Sequence, residues 1–143
     1  MPHCYALTVC LGSSLDQSTS NISLFTLVEQ INVPPGAPPP PKNTLPLEVH
    51  CYFRLQGDEV GRELFMRFVL VGQSGLSSYS EVHRHRPAGH RFRTRTMGVP
   101  FPPGPGHYDL YVEFRNADGD WLRDPLAWPM SLVETRPAST VTH

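Results

Sequence analysis

Residues 106–132 read GHYDLYVEFR (106–115), NADGDW (116–121) and LRDPLAWPMSL (122–132). Tyr108, Leu110, Val112 and Phe114 alternate with Asp109, Tyr111, Glu113 and Arg115, the period-two pattern of a strand with one buried face. Asp118-Gly119 lies in the turn that follows. Asp-Gly between apolar runs signals a hairpin, because both residues tolerate positive φ. The stretch therefore predicts a β-hairpin anchoring an all-β domain.

The same rhythm extends upstream. His3–Leu11 (HCYALTVCL) is rich in β-formers and apolar on both faces, as expected of a strand near a sheet centre. Residues 12–20 read as a Ser-rich loop, and residues 21–33 (NISLFTLVEQINV) as a strand, although Leu24, Leu27, Val28 and Ile31 also fit helical spacing. Leu47, Val49, Cys51, Phe53 and Leu55 alternate with Glu48, His50, Tyr52, Arg54 and Gln56. Leu64, Met66, Phe68 and Leu70 form the next inward set, and the polar turn at Gly57-Asp58 predicts a hairpin joining the two runs. Residues 79–86 and 90–97 read as two shorter strands around Pro87-Ala88-Gly89. Pro-rich loops are expected at 34–46 and 99–106, where proline can neither propagate a helix nor donate to a ladder. Pro125 and Pro129 place the last strand at a sheet edge. The reading is one domain over residues 1–135, with a flexible tail at 136–143. Seven to nine short strands and no helix predict an antiparallel two-sheet sandwich of immunoglobulin-like type, with a small barrel as the alternative.

Bulk properties agree. A chain of 143 residues fits one core without staples. Its 16 prolines and 11 glycines point to many turns. A net charge of −1 gives no global attraction to nucleic acid or membrane. No apolar run approaches the ~20 residues of a membrane helix, and the start lacks a basic-then-apolar leader pattern. Cys4 and Cys10 lie six residues apart on one predicted strand, hence ~20 Å apart and beyond disulfide reach. With Cys51 they read as three buried thiols in a reducing, cytoplasmic compartment. All basic residues except Lys42 are arginine, a bias pointing to a GC-rich bacterial genome.

The order of a short first strand, NISLFTLVEQI (21–31), a proline loop, LPLEVHCYFRL (45–55), ELFMRFVLVG (63–72) and GVPFPPGPGHYDLYVEFRNADGDWLRDPLAW (98–128) resembles a family of small bacterial single-domain proteins of unknown function. The likeness rests on hydrophobic spacing and on the proline step before a Gly-x-Tyr strand. It implies a β-sandwich, brings no catalytic residues, and leaves the Arg/His segment at 83–95 without a family counterpart.

That segment, HRHRPAGHRFRTR, is the most unusual in the chain. If Arg86-Pro87-Ala88-Gly89 closed a tight hairpin, Arg84, Arg86, Arg91, Arg93 and Arg95 would share one face and His83, His85 and His90 the other. The arginine face reads either as a grip for an acidic or phosphate-bearing partner or as a solvated edge that discourages strand pairing. The histidine face reads as a three-His metal site or as ordinary strand histidines. Asp118, Asp120 and Asp124 read as turn formers, with calcium as the alternative. Trp121 and Trp128 read as core or cap residues. No Gly-x-Ser-x-Gly, phosphate-cradling Gly loop or His-Glu-x-x-His is present.

The expectation is a non-enzymatic interaction module without a cofactor. Its partner would be another protein or a second copy docking on an edge strand, and not nucleic acid or a membrane. Arg84, Arg86, Arg91, Arg93 and Arg95 would be the contact residues. A metal-dependent hydrolase using His83, His85 and His90, or a structural subunit of a larger assembly, are the other readings.

Overall fold

The computed structural model describes residues 1–135, and the expected tail at 136–143 lies outside them. Two sheets pack face to face. The first holds β1 (His3–Leu15), β2 (Ile22–Leu27), β4 (Thr44–Arg54) and β8 (Arg91–Pro100), in the order β2-β1-β4-β8. The second holds β3 (Gln30–Val33), β5 (Leu64–Gly72), β6 (Ser77–Tyr79), β7 (His83–His85), β9 (Gly106–Arg115), β10 (Leu122–Arg123) and β11 (Trp128–Glu134). Its main path is β3-β11-β9-β5-β6; β7 also pairs β5, and β10 pairs β9. These eleven strands among the described residues exceed the seven to nine expected, because residues 21–33 divide into β2 and β3 and three other strands have only two or three residues. Among the described residues, no helix is long and apolar enough to cross a membrane.

The sandwich is immunoglobulin-like in connectivity. β4, β5, β8, β9 and β11 follow the B, C, E, F and G strands of that fold, with β4 and β8 in one sheet and β5, β9 and β11 in the other. Leu7, Val9, Val49, Cys51 and Phe53 meet Met66, Phe68, Leu70, Leu110, Val112 and Phe114 between the layers. Phe53 and Phe114 cross the interface edge to face, with centroids 4.8 Å apart. A tyrosine corner closes the β8–β9 connection: Tyr108 Oη donates to the Gly104 carbonyl at 2.5 Å and accepts from its amide at 3.2 Å. The proline step before Gly-x-Tyr is the loop that this corner clamps.

The anchor hairpin forms, with Leu122 opposite Phe114 and Arg123 opposite Glu113, but neither Asp118 nor Gly119 takes the expected positive φ, and the turn closes with the Gly119 amide donating to the Asn116 carbonyl at 3.2 Å. Pro125 interrupts the return strand, which resumes as β11 on the same side of β9. Asp124, in the interruption, is buried. Its carboxylate accepts from the Cys4 amide at 2.9 Å and the Leu126 amide at 3.0 Å, tying the first strand to the last hairpin.

Several connections differ from the sequence reading. β4 and β5 are not a hairpin: β4 has β1 and β8 as neighbours, β5 has β9, β6 and β7, and the segment between crosses from one layer to the other. Alternation shows which face of a strand is apolar but not which layer it joins. Residues 21–33 are two strands in different sheets. The crossing falls at Val28 and Glu29, where the Val28 amide still donates to Val9 and the Glu29 carbonyl accepts from Ser131. Trp128 caps it, its indole Nε1 donating to the Val28 carbonyl at 2.8 Å.

β11 is not an edge strand, because β3 lies beside it in parallel from Ser131 onward. Pro129 is tolerated since it shares the side of Ser131, whose amide points to β3, and sits just before that neighbour begins. β1 runs on to Leu15, so the Ser-rich loop shortens to its tip. Likewise β4 starts at Thr44 and β8 ends at Pro100, trimming both Pro-rich loops.

Candidate functional site

The outer face of the first sheet carries the chemistry. Its residues are the polar partners in the alternation of β4: Glu48, His50, Tyr52 and Arg54. Register sets them in four rungs. Cys10 of β1 lies opposite Glu48, which lies opposite Met97 of β8. Thr8, His50 and Arg95 form the next rung, then Ala6, Tyr52 and Arg93. In the last, Arg54 faces Arg91 directly.

An outer face is ordinarily wet, yet Cys10, Glu48 and His50 are only 0%, 1% and 2% exposed. The β1–β2 hairpin causes this by bending over the sheet it leaves. Ser13 donates its hydroxyl to Glu48 Oε1 at 2.8 Å, and the Ser20 carbonyl at the tip accepts from Arg93 Nη1 at 3.0 Å. Beneath the arch are two cavities that share Tyr52 and Arg93 in their linings. A cavity of about 360 Å³ is bordered by Ser13, Ser14, Leu15, Ile22, His50, Tyr52, Arg93, Thr94 and Arg95. A second, of about 620 Å³, is bordered by Tyr5, Thr19, Ser20, Asn21, Tyr52, Arg91 and Arg93.

Charge changes along the face. At the buried end, Arg95 Nε bonds Glu48 Oε1. Burial alone would raise the Glu48 carboxyl, but the bonds from Arg95 and Ser13 and the nearby positive charges outweigh it, holding the group below the usual carboxylate range. Burial lowers His50 and raises Cys10, and the charge of Glu48 adds to the rise at Cys10. At the open end, Arg54 and Arg93 lie over the rings of Tyr5 and Tyr52, at 5.4 and 6.0 Å. Among the described residues no carboxylate lies within ion-pair distance of Arg54, Arg91 or Arg93, whereas Arg67, Arg84, Arg95 and Arg123 each have one.

The Arg/His segment does not form the expected hairpin. β7 pairs β5 in the second sheet and β8 pairs β4 in the first, so the chain changes layer at Pro87. Arg91, Arg93 and Arg95 do share a face. Arg84 is on the other sheet, 3.2 Å from Glu63, and Arg86 is exposed in the crossing. The three histidines do not gather into a ligand set. His83 packs by Phe68, His85 against Phe92, and His90 is exposed in the turn. Among the described residues, the group of side chains close enough to share one ion is instead Cys10, Glu48 and His50.

Alternation had placed Glu48, His50, Tyr52 and Arg54 on one polar face. Their meeting with Cys10, Tyr5 and Ser20 depends on pairing between strands far apart in sequence. No family model matches the chain, and no curated protein matches it in sequence.

Proposed function

We propose that this protein is a binding module that grips an acidic or phosphate-bearing segment of a partner protein under the β1–β2 arch, with Arg54, Arg91 and Arg93 as the charged contacts. The observation that carries this reading is the direct opposition of Arg54 and Arg91 on β4 and β8, with no carboxylate of the described residues within ion-pair distance of either. Like charges facing each other across a ladder destabilise the sheet, and an anion between them reverses the sign. Guanidinium groups suit carboxylate and phosphate because their paired N–H donors match two oxygens. Tyr5, Tyr52, Thr19, Ser20 and Asn21 border the cavity that Arg91 and Arg93 line, supplying further polar groups and apolar ring surface.

Titration of the full chain with an acidic peptide, with and without a phosphoserine, tests the reading by calorimetry. Binding should weaken with added salt. It should fall about tenfold or more for each arginine replaced in Arg91→Ala and Arg93→Ala, as loss of a charge-assisted hydrogen bond implies. Equal affinity for the Arg54→Ala/Arg91→Ala/Arg93→Ala variant and the unaltered protein would refute it.

A further inference from the structure

We infer that Cys10, Glu48 and His50 form a binding site for one zinc-like divalent cation. Cys10 and Glu48 are direct partners across the β1–β4 ladder, and His50 is two residues from Glu48 on the same face of β4. Two paired strands thus present a thiol, a carboxylate and an imidazole from a rigid backbone. Their ligand atoms lie within 4.8 Å of one another. Tetrahedral zinc, with bonds of about 2.0–2.3 Å, holds its ligands about 3.3–3.8 Å apart. Small side-chain rotations of about 1 Å close that gap.

A second observation points to a ligand here. His50 is 2% exposed, yet among the described residues its Nε2 has no hydrogen-bond partner. It stands 3.5 Å from Glu48 Oε1, near enough to feel that carboxylate's charge but outside hydrogen-bond geometry. A buried, unsatisfied ring nitrogen is costly, and coordination gives it a partner. The donor set of one sulfur, one nitrogen and one oxygen suits a borderline cation such as Zn²⁺ or Co²⁺, rather than Mg²⁺ or Ca²⁺, which take oxygen. Three protein ligands leave the fourth position for water or a bound group, and the 360 Å³ cavity borders the cluster through His50.

Binding releases the Cys10 thiol proton to solvent and leaves a thiolate on the metal. Arg95 competes, since it already neutralises Glu48. Its side chain is 62% exposed and is free to turn outward when the ion arrives. The site uses none of the arginines assigned to the partner's anion, so the two readings stand or fall separately.

The test is titration of the reduced full chain with Co²⁺, followed by competition with Zn²⁺. The expected result is one Co²⁺ per chain, a thiolate-to-cobalt charge-transfer band, and reversal of the band by Zn²⁺ or a chelator. Cys10→Ala should abolish the band and weaken binding at least tenfold, whereas Cys51→Ala should retain both. This comparison separates the site from the Cys4–Cys51 thiol pair, whose sulfurs are 3.4 Å apart. Arg95→Gln should tighten Co²⁺ binding by removing the competing cation. Absence of stoichiometric binding by the unaltered chain, a complex lacking the thiolate band, or a band that survives Cys10→Ala would each overturn the assignment. Because the first two readouts come from the unaltered protein, misfolding of a variant does not shield it.

Discussion

Gly72 lies directly across the β5–β9 ladder from Tyr108, and a Cβ at position 72 would stand 2.9 Å from the tyrosine ring. The ring has little freedom to withdraw, because its hydroxyl is bonded to both the amide and the carbonyl of Gly104. Gly72→Ala should therefore cost about 1–3 kcal/mol through overpacking. Tyr108→Phe, which keeps the ring and loses the corner, should cost about 1 kcal/mol. Urea denaturation measures both. If the clash with the clamped ring is the cause, Gly72→Ala should cost less in the Tyr108→Phe background, where the ring can shift.

The opposition of Arg54 and Arg91 should appear in the unliganded protein as a penalty. Arg91→Glu replaces repulsion by attraction across the strands and should raise stability by about 0.5–1 kcal/mol at low salt. The same variant should lose the thermal stabilisation that the acidic phosphopeptide gives the unaltered chain. A variant less stable than the parent would show that these guanidinium groups do not repel through the sheet.

His85 makes stability depend on pH. Its Nε2 is buried without a partner among the described residues, and burial, with a smaller contribution from the charge of His83, lowers its affinity for protons. The native state thus binds fewer protons here than the unfolded chain does. The contribution of His85 is intact above its ordinary value of about 6.5 and is lost as pH falls through the lower folded value. Thermal melts between pH 7.5 and 5 should show the decline, and His85→Leu should flatten it. An unchanged slope in that variant would assign the decline to other groups.

Glu113 is buried on the outside of β9, between Arg67 at 2.8 Å and Arg123 at 3.0 Å. Arg67 is itself placed between the rings of Tyr79 and Trp121, at 4.4 and 4.2 Å. The hairpin tip thus rests on one carboxylate. Glu113→Gln keeps the shape and removes the charge, and should cost about 1.5–3 kcal/mol, read by chemical denaturation. Replacement of the more exposed Arg123 by Ala should cost less, since solvent screens that pair. Equal effects of the two substitutions would argue against a shared clamp.

Much of the architecture was legible in residues 106–132, where two-residue alternation and an Asp-Gly turn identified a hairpin that the structure contains. The candidate site was half legible. Arg91, Arg93 and Arg95 share a face because side chains two apart on any strand must do so. Arg84 and Arg86 fell away because the chain changes sheets at Pro87. Cys10 carried no local signal at all. It is a ligand candidate only because β1 lies beside β4 and the β1–β2 hairpin folds back over both.

Alternation along the backbone is a local property, so the amino-acid sequence alone determined that this chain makes strands with one apolar face, turns at Gly, Pro and Asp, and an all-β sandwich. Assignment of strands to layers is not local. Phe53 and Met66 would show the same pattern as hairpin partners or as opposite walls of the core, and only packing chose the second. That choice brought Cys10, Glu48 and His50 under one arch and set Arg54 against Arg91, because contact between distant strands depends on which neighbours each sheet can accept.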